Sequence, residues 1–489
     1  MTAVDDSTTA LTGSVIRLDS ARGRGQRGER RVADTVAELS RRHDTLCASA
    51  VDTWEIAAGL EAQGMSDRDC LAYGYPDVFA LAEALFDAVP SGGSGRPTDS
   101  SRPLVRPWLS LLRGLIYALP AIVGLGAVSD RGAPAVTVLI VALAAGWGWS
   151  QALSFLGHRN LGWIGDLAAR AIMRSGLLCG LVIVPVVVLV ATRLAGASFG
   201  TAASGSAIGI YMVAAGVLLV FGDELALLAA LVPGSVAGVL LLLGVGPWGA
   251  SVHSLIAAFS VLSVLALALH ATSTRALTGS GTTQTRPRWL PDRADLLAAL
   301  PHLGYGVAAA AAVGLGPSTL ELFRGGASSA SWYVTLPVVL SMGAAELQLE
   351  RLMHRTHMDL GTVASPDRFA RLSRRALATA IGHYLSVVAA LSVLAIFLGS
   401  GGRPETDQVV LVAGYAALAA CFFIALTLVA IGRVLVAGCC MVVALGSYLL
   451  LAQTSLLASA TAYLVTFGLM FVVLLTNAAV RLRNPLVHL

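Results

Sequence analysis

Gln408–Ile431, QVVLVAGYAALAACFFIALTLVAI, runs from end to end without a charged side chain. About 20 mostly apolar residues cross the hydrocarbon of a bilayer as a helix, so this stretch reads as a membrane span. Working outward, comparable runs lie at 109–128, 134–157, 175–193, 205–222, 225–244 and 250–271. Six more follow at 297–316, 330–349, 376–398, 408–431, 434–452 and 458–480. The fold class predicted is all-α: a polytopic membrane protein of about twelve transmembrane helices, arranged as two six-helix halves, with a small cytoplasmic helical domain at the N-terminus. The totals agree, with 56% hydrophobic residues, 13% charged residues and a mean hydropathy of +0.75. A soluble domain carries about 25% charged residues over its whole sequence.

Charge placement sets the orientation. All 33 basic residues are arginine. With the N-terminus inside, 16 arginines fall in inward loops and the C-terminal tail, and only Arg131, Arg193, Arg324 and Arg403 in outward loops. Twelve spans with both termini in the cytoplasm satisfy the positive-inside rule. The net charge of +4 is therefore a topology signal, and no nucleic-acid partner is expected. Met1–Ser20 lacks an apolar core, so no cleavable signal peptide is predicted.

Seven regions follow: a basic disordered tail at 1–30, a cytoplasmic helical domain at 31–89 and a flexible linker at 90–108. The first six-helix half covers 109–271, a cytoplasmic linker 272–296, the second half 297–480 and a cytoplasmic tail 481–489. In the N-terminal domain Val32, Val36, Leu39, Leu46, Val51, Trp54 and Leu60 recur near helical spacing. Pro76 with Asp77 opens a further helix whose apolar face holds Val78, Phe79, Leu81, Leu85 and Phe86. Trp54, Asp67, Arg68, Asp77 and Phe79 are the predicted protein-docking surface.

Polar groups in or beside hydrocarbon are the default functional candidates. Asp223 and Glu224 sit in the tight turn FGDEL, where a helix N-terminus stabilises carboxylates and a turn cap is the plainer reading. Glu346 and Glu350 lie one turn apart at the inner end of the eighth span. Glu350, His354 and His357 have ligand-like spacing, but no HExxH sequence accompanies them. An ion-paired helix end explains them better, and no metal or other cofactor is predicted. His383 and Gln151 complete the membrane-embedded candidates, as single hydrogen-bonding groups. Pro120, Pro185, Pro233 and Pro337 invite kinks, and Gly205 with Gly209 offers a small-xxx-small packing surface. The six cysteines have no metal-type spacing and read as small apolar residues. There is no Walker A sequence, and the protein is expected not to be an enzyme.

Two stretches carry resemblances. GWGWSQALSFLGHRNLG at Gly146–Gly162 and LPVVLSMGAAELQLERLMHR at Leu336–Arg355, within the twelve-span plan, resemble polysaccharide flippases of the multidrug and oligosaccharidyl-lipid exporter superfamily. DTWEIAAGLEAQGMSDRDCLAYGYPDVFALAEALF at Asp52–Phe86 resembles the head of an actinobacterial family of septation-associated multi-pass proteins, SepX-like. That second likeness implies a non-enzymatic protein of the cell membrane that supports cell division, septum formation or envelope organisation. Division or polarity proteins would then be partners through the N-terminal domain, and the protein would be enriched at septa. The first implies instead a flippase or secondary transporter of a lipid-linked glycan or amphipathic solute.

Overall fold

The computed structural model describes parts of 36–50, residues 52–62, 65, 67–88, 132–163, 166–242, 250–273, 290–325, 332–360, 366–400, 403–454 and 456–483. Of the first expected span it describes Gly114, Ile116 and Leu119, all helical. Arg68 falls outside the described side chains. The chain divides into two units, Met1–Pro103 and Leu104–Leu489.

The first unit is helical. α1 is Thr53–Ala62, α2 is Asp67–Cys70, continued by a 3-10 turn at Leu71–Tyr73, and α3 is Val78–Ala88. Side-chain caps start its helices. Asp52 Oδ1 accepts from the Glu55 N–H at 2.9 Å and Asp77 Oδ1 from the Ala80 N–H at 2.7 Å, satisfying amides that the first helical turn leaves open. Asp67 Oδ1 takes the Val78 N–H at 3.0 Å and so ties α2 to the start of α3. Ile56, Leu60, Cys70, Leu81 and Leu85 close the core behind these caps.

The second unit is a bundle of α4 (Ala133–Trp163), α5 (Asp166–Ala195), α6 (Phe199–Val220), α7 (Glu224–Leu242) and α8 (Ala250–Ala271). It continues with α9 (Arg293–Gly314), α10 (Pro317–Phe323), α11 (Leu336–Leu360), α12 (Pro366–Ser400), α13 (Thr406–Ala430), α14 (Val434–Gln453) and α15 (Ser459–Arg481). Among the described residues nine helices are long and apolar enough to cross a membrane, fewer than the twelve expected. The shortfall has physical causes. α11 is long enough, but Glu346, Glu350 and Arg351 interrupt its apolar run. α7 is apolar but short. The first expected span lies almost wholly outside the described residues.

Several helices outrun their apolar cores. α12, at 35 residues, is about 52 Å long at 1.5 Å per residue, against about 30 Å of hydrocarbon. Its N-terminal turns carry Arg368, Arg371, Arg374 and Arg375 beyond the apolar stretch. Pro337 is the second residue of α11 rather than a kink inside a span, where a missing N–H costs nothing.

Packing repeats along the bundle. α4 packs on α5 and α6, α5 on α6, α6 on α7 and α8, and α7 on α8. α11 to α15 pair in the same order: α11 with α12 and α13, α12 with α13, α13 with α14 and α15, and α14 with α15. One apolar core draws on Ile116–Ala271 and another on Tyr305–Leu482. A single register, the one that sets Gly222 on Gly432, superimposes buried positions of α6 through α8 on those of α13 through α15. Ala202 falls on Val412, Val213 on Phe423, Leu231 on Met441, Val264 on Leu474 and Ala268 on Ala478, all buried.

The two glycines that define this register have left-handed backbone, with φ of 76° at Gly222 and 74° at Gly432. Both end a helix with the same bonds: Gly222 N–H to Leu219 O and Asp223 N–H to Leu218 O; Gly432 N–H to Val429 O and Arg433 N–H to Leu428 O. This is the Schellman pattern that satisfies the last carbonyls of a helix. A β-branched residue in this backbone conformation costs roughly 1–2 kcal/mol. Gly222→Val and Gly432→Val are each expected to lower the thermal unfolding midpoint in detergent, with the double variant near the sum because the sites are separate. Unchanged midpoints would contradict the strained-turn assignment.

Candidate functional site

The two helix sets meet along α4 and α9, which run antiparallel in contact for most of their length. Towards one end Arg159 pairs with Asp295 at 3.3 Å. Next, Phe155 stacks on His302, with centroids 4.2 Å apart and planes 18° apart. The middle of the seam is glycine on glycine. A Cβ at Gly306 would stand 2.8 Å from Gly148 Cα and 3.0 Å from Gln151 Cγ. At the far end a Cβ on Gly314 would meet Ile140 at 3.0 Å. A second glycine contact has the same form, since a Cβ on Gly114 would lie 2.7 Å from Gly343 Cα in α11. Without a hydrophobic force between helices in lipid, close backbone approach of this kind supplies the attraction.

The two sets fill their interiors differently. In the Gly222–Gly432 register, Tyr415, Tyr448, Tyr463 and Phe467 fall where the first set has Gly205, Gly238, His253 and Ala257. In the second set the rings form one cluster: Tyr463 lies 5.3 Å from Tyr415, 4.9 Å from Tyr448 and 4.5 Å from Phe467. Tyr463 OH donates to the Ala312 carbonyl at 2.8 Å. Tyr384 OH donates to the Ala419 carbonyl at 3.0 Å and lies 2.9 Å from Ser341 Oγ. The set is tied at one end by Glu321, which accepts from Ser459 Oγ at 2.8 Å, and by Arg324, which donates to the Ala452 carbonyl.

The first set adds glycine contacts to its rings, Tyr211 and Trp149, the latter donating from Nε1–H to the Gly176 carbonyl at 2.9 Å. A Cβ on Gly146 would lie 2.8 Å from Gly209 Cα, and one on Gly205 would meet Val188 at 3.2 Å and Ala142 at 3.3 Å. Arg170 closes one end. It bonds Asp166 Oδ2 at 2.7 Å, donates to the Ala271 carbonyl at the C-terminus of α8, and lies over the Phe221 ring at 4.8 Å. A cation suits a helix C-terminus.

α7 carries a backbone irregularity that another helix repairs. Pro233 has no N–H and its ring blocks the usual carbonyl. The next amide, Gly234 N–H, donates to Ser260 Oγ of α8 at 3.0 Å, with Ser260 fully buried. Beside this crossing lies an apolar groove of about 570 Å³ between α7 and α8, lined by Pro233, Val236, Leu240, Val252, Leu255 and Phe259. Leu255 and Phe259 are largely exposed, so the groove opens sideways, towards lipid in a membrane. Its wall accepts an alkyl or aryl group.

The sequence-predicted candidates are scattered. Asp223 is exposed in the turn, and Leu227 N–H donates to its carbonyl at 3.1 Å, a helix-start role. Glu224 is buried as the first residue of α7. Glu346 and Glu350 are half-buried along α11. His383 is exposed on α12 beside buried Tyr384, while Gln151 alone of these lies on the seam. Among the described residues no three His, Cys, Asp or Glu side chains group closely enough to hold a metal ion. In the N-terminal unit Asp67 and Asp77 are caps, whereas Trp54 and Phe79 are exposed. Sequence reasoning passed over Gly148, Gly306, Ser260, Arg170 and the tyrosine cluster. The recurrence of buried positions in one register is the signal that leads to the cluster.

No protein-family model and no curated protein matches the sequence. Solved structures do match the membrane unit. A MATE in complex with MaD5 is 16% identical, with a TM-score of 0.50 over 77% of this chain and 95% of that one. A MATE in the straight conformation is 15% identical, with a TM-score of 0.50 over the same shares. An inward-facing multidrug resistance MATE family transporter of the MOP superfamily gives 0.49 at 16% identity, covering 78% of this chain and 98% of that one. The chain is thus a polytopic helical membrane protein with the MATE fold.

This match corrects the cell-division and septation reading. The stretch Asp52–Phe86 that suggested it lies outside the membrane unit, and the fold of that unit is one known in transporters.

Ser260→Ala removes the partner of the Gly234 amide within hydrocarbon. A stability loss of about 1 kcal/mol is expected, read as a lower unfolding midpoint in detergent. Ser386→Ala, on an exposed face of α12, serves as the control that stays near wild type. Equal behaviour of the two variants would remove Ser260 from this role.

Proposed function

We propose that the chain is a secondary transporter of amphipathic solutes, with twelve spans in two six-helix sets and both termini in the cytoplasm. The carrying observation is the duplicated packing: the same helix pairings, the same Schellman turns and the same buried register recur in both sets within a MATE fold. Two similar bodies that meet along narrow glycine seams can tilt against each other. Such rocking exposes a central site to one side of the membrane and then to the other.

The arginine census supports the orientation. The expected first span and α7 and α11, added to the nine apolar helices, complete the twelve. Cargo chemistry is read from the lining. The α7–α8 groove offers apolar surface for an apolar body, and Gln151 and His302, on the separate α4–α9 seam, are the polar contacts proposed for a polar head. No Walker A sequence is present, so an ion gradient is the energy source that fits. The two sets divide the labour: the aromatic set is bonded into a rigid body, and the glycine-packed set carries the Pro233 irregularity.

Purified protein in proteoliposomes is expected to move ethidium, an amphipathic cation, when a proton or sodium gradient is imposed. Gly306→Leu, which wedges the seam against Gly148, is expected to abolish movement while leaving the protein monodisperse in detergent. No ethidium movement under either gradient by folded wild-type protein, or full activity in Gly306→Leu, would overturn the reading.

A further inference from the structure

We infer that the N-terminal helical unit is a docking site for a basic amphipathic helix of a partner protein, a function beyond the proposed transport. Two exposed stripes carry the inference. On α1, Trp54 is followed at helical spacing by Ala58 and Glu61, all exposed. On α3, Phe79 is followed one and two turns later by Glu83 and Asp87, also exposed. The stripes meet at their aromatic heads: Trp54 and Phe79 pack edge to face at 5.1 Å, yet remain 69% and 48% exposed. Neither ring serves the core, which Ile56, Leu60, Leu81 and Leu85 already fill.

Charge selects the occupant. Between Asp52 and Ala88 there are eight carboxylates and one arginine. Three carboxylates, Asp52, Asp67 and Asp77, bond amides at helix starts, whereas Glu61, Glu83 and Asp87 follow the aromatic heads along the exposed stripes. A membrane surface bearing anionic lipids repels such a face. A helix with two bulky apolar residues one turn apart and Arg or Lys beside them fits it, because the rings take the apolar anchors and the carboxylates the cations.

The probe is a fluorescein-labelled Leu/Arg amphipathic helical peptide, titrated by anisotropy against the full-length protein in zwitterionic-lipid nanodiscs. Wild type is expected to bind with an affinity that falls as salt rises. The pair Trp54→Ala with Phe79→Ala is expected to weaken binding at least tenfold, by loss of the anchors. Glu61→Gln with Glu83→Gln and Asp87→Asn is expected to weaken it and flatten the salt dependence. Both variants alter exposed side chains, and unchanged helical circular dichroism verifies their folding. Equal binding by wild type and both variants would overturn the inference. Rings that instead bury in anionic vesicles, with Trp54→Ala and Phe79→Ala losing vesicle binding and not peptide binding, would replace the protein partner with a membrane.

Discussion

In hydrocarbon there is no water to take up an orphaned amide, and each unsatisfied backbone group costs several kcal/mol. That constraint organises the membrane unit. It forces the chain into helices and forces every helix end or irregularity to find a partner inside the protein. The two tight turns meet it with left-handed glycines that return amides to the preceding turn. The Pro233 irregularity meets it through Ser260. The hydroxyls of Ser260, Tyr384 and Tyr463 all bond to main-chain groups of neighbouring helices, so the same chemistry that repairs backbone also locks helices together.

With that demand met, the two helix sets are free to solve packing in different ways. Rings and hydroxyls space α13, α14 and α15. Glycines bring α4 and α6 to backbone contact. Between the sets lies a seam that is narrow, glycine-centred and polar at one end, where Arg159 faces Asp295. Of the charged candidates, Glu224 is buried at the start of α7 and Glu346 and Glu350 are half-buried on α11, while Asp223 is exposed. Asp223 helps to start a helix, and Glu346 and Glu350 follow one edge of α11.

The helical membrane class was legible because hydropathy alone reports it. Helix extents were less so. The arginine-bearing turns of α12 have no hydropathy signature, and Glu346 with Glu350 hides α11 from an apolar window although it is a 25-residue helix. The repeat was illegible as identity. At matching positions a glycine faces a tyrosine and a histidine faces a tyrosine, substitutions that a bilayer interior tolerates when the helices shift closer or farther. What recurs is burial, and burial becomes visible only once the helices are packed. The septation resemblance rests on the short stretch Asp52–Phe86, whereas the matched fold belongs to the unit that holds most of the chain.

The account turns on whether the two sets move against each other. Leu194 and Leu394 are exposed equivalents near one end of α5 and α12, in the register that sets buried Ala169 on Phe369 and Val188 on Val388. Spin labels at Leu194→Cys and Leu394→Cys, with Cys179, Cys439 and Cys440 replaced by serine, report the distance between the sets in nanodiscs. The account predicts two distance populations whose ratio changes between acidic and alkaline pH or on adding ethidium. A single narrow distance, unchanged under all of these conditions, would contradict it.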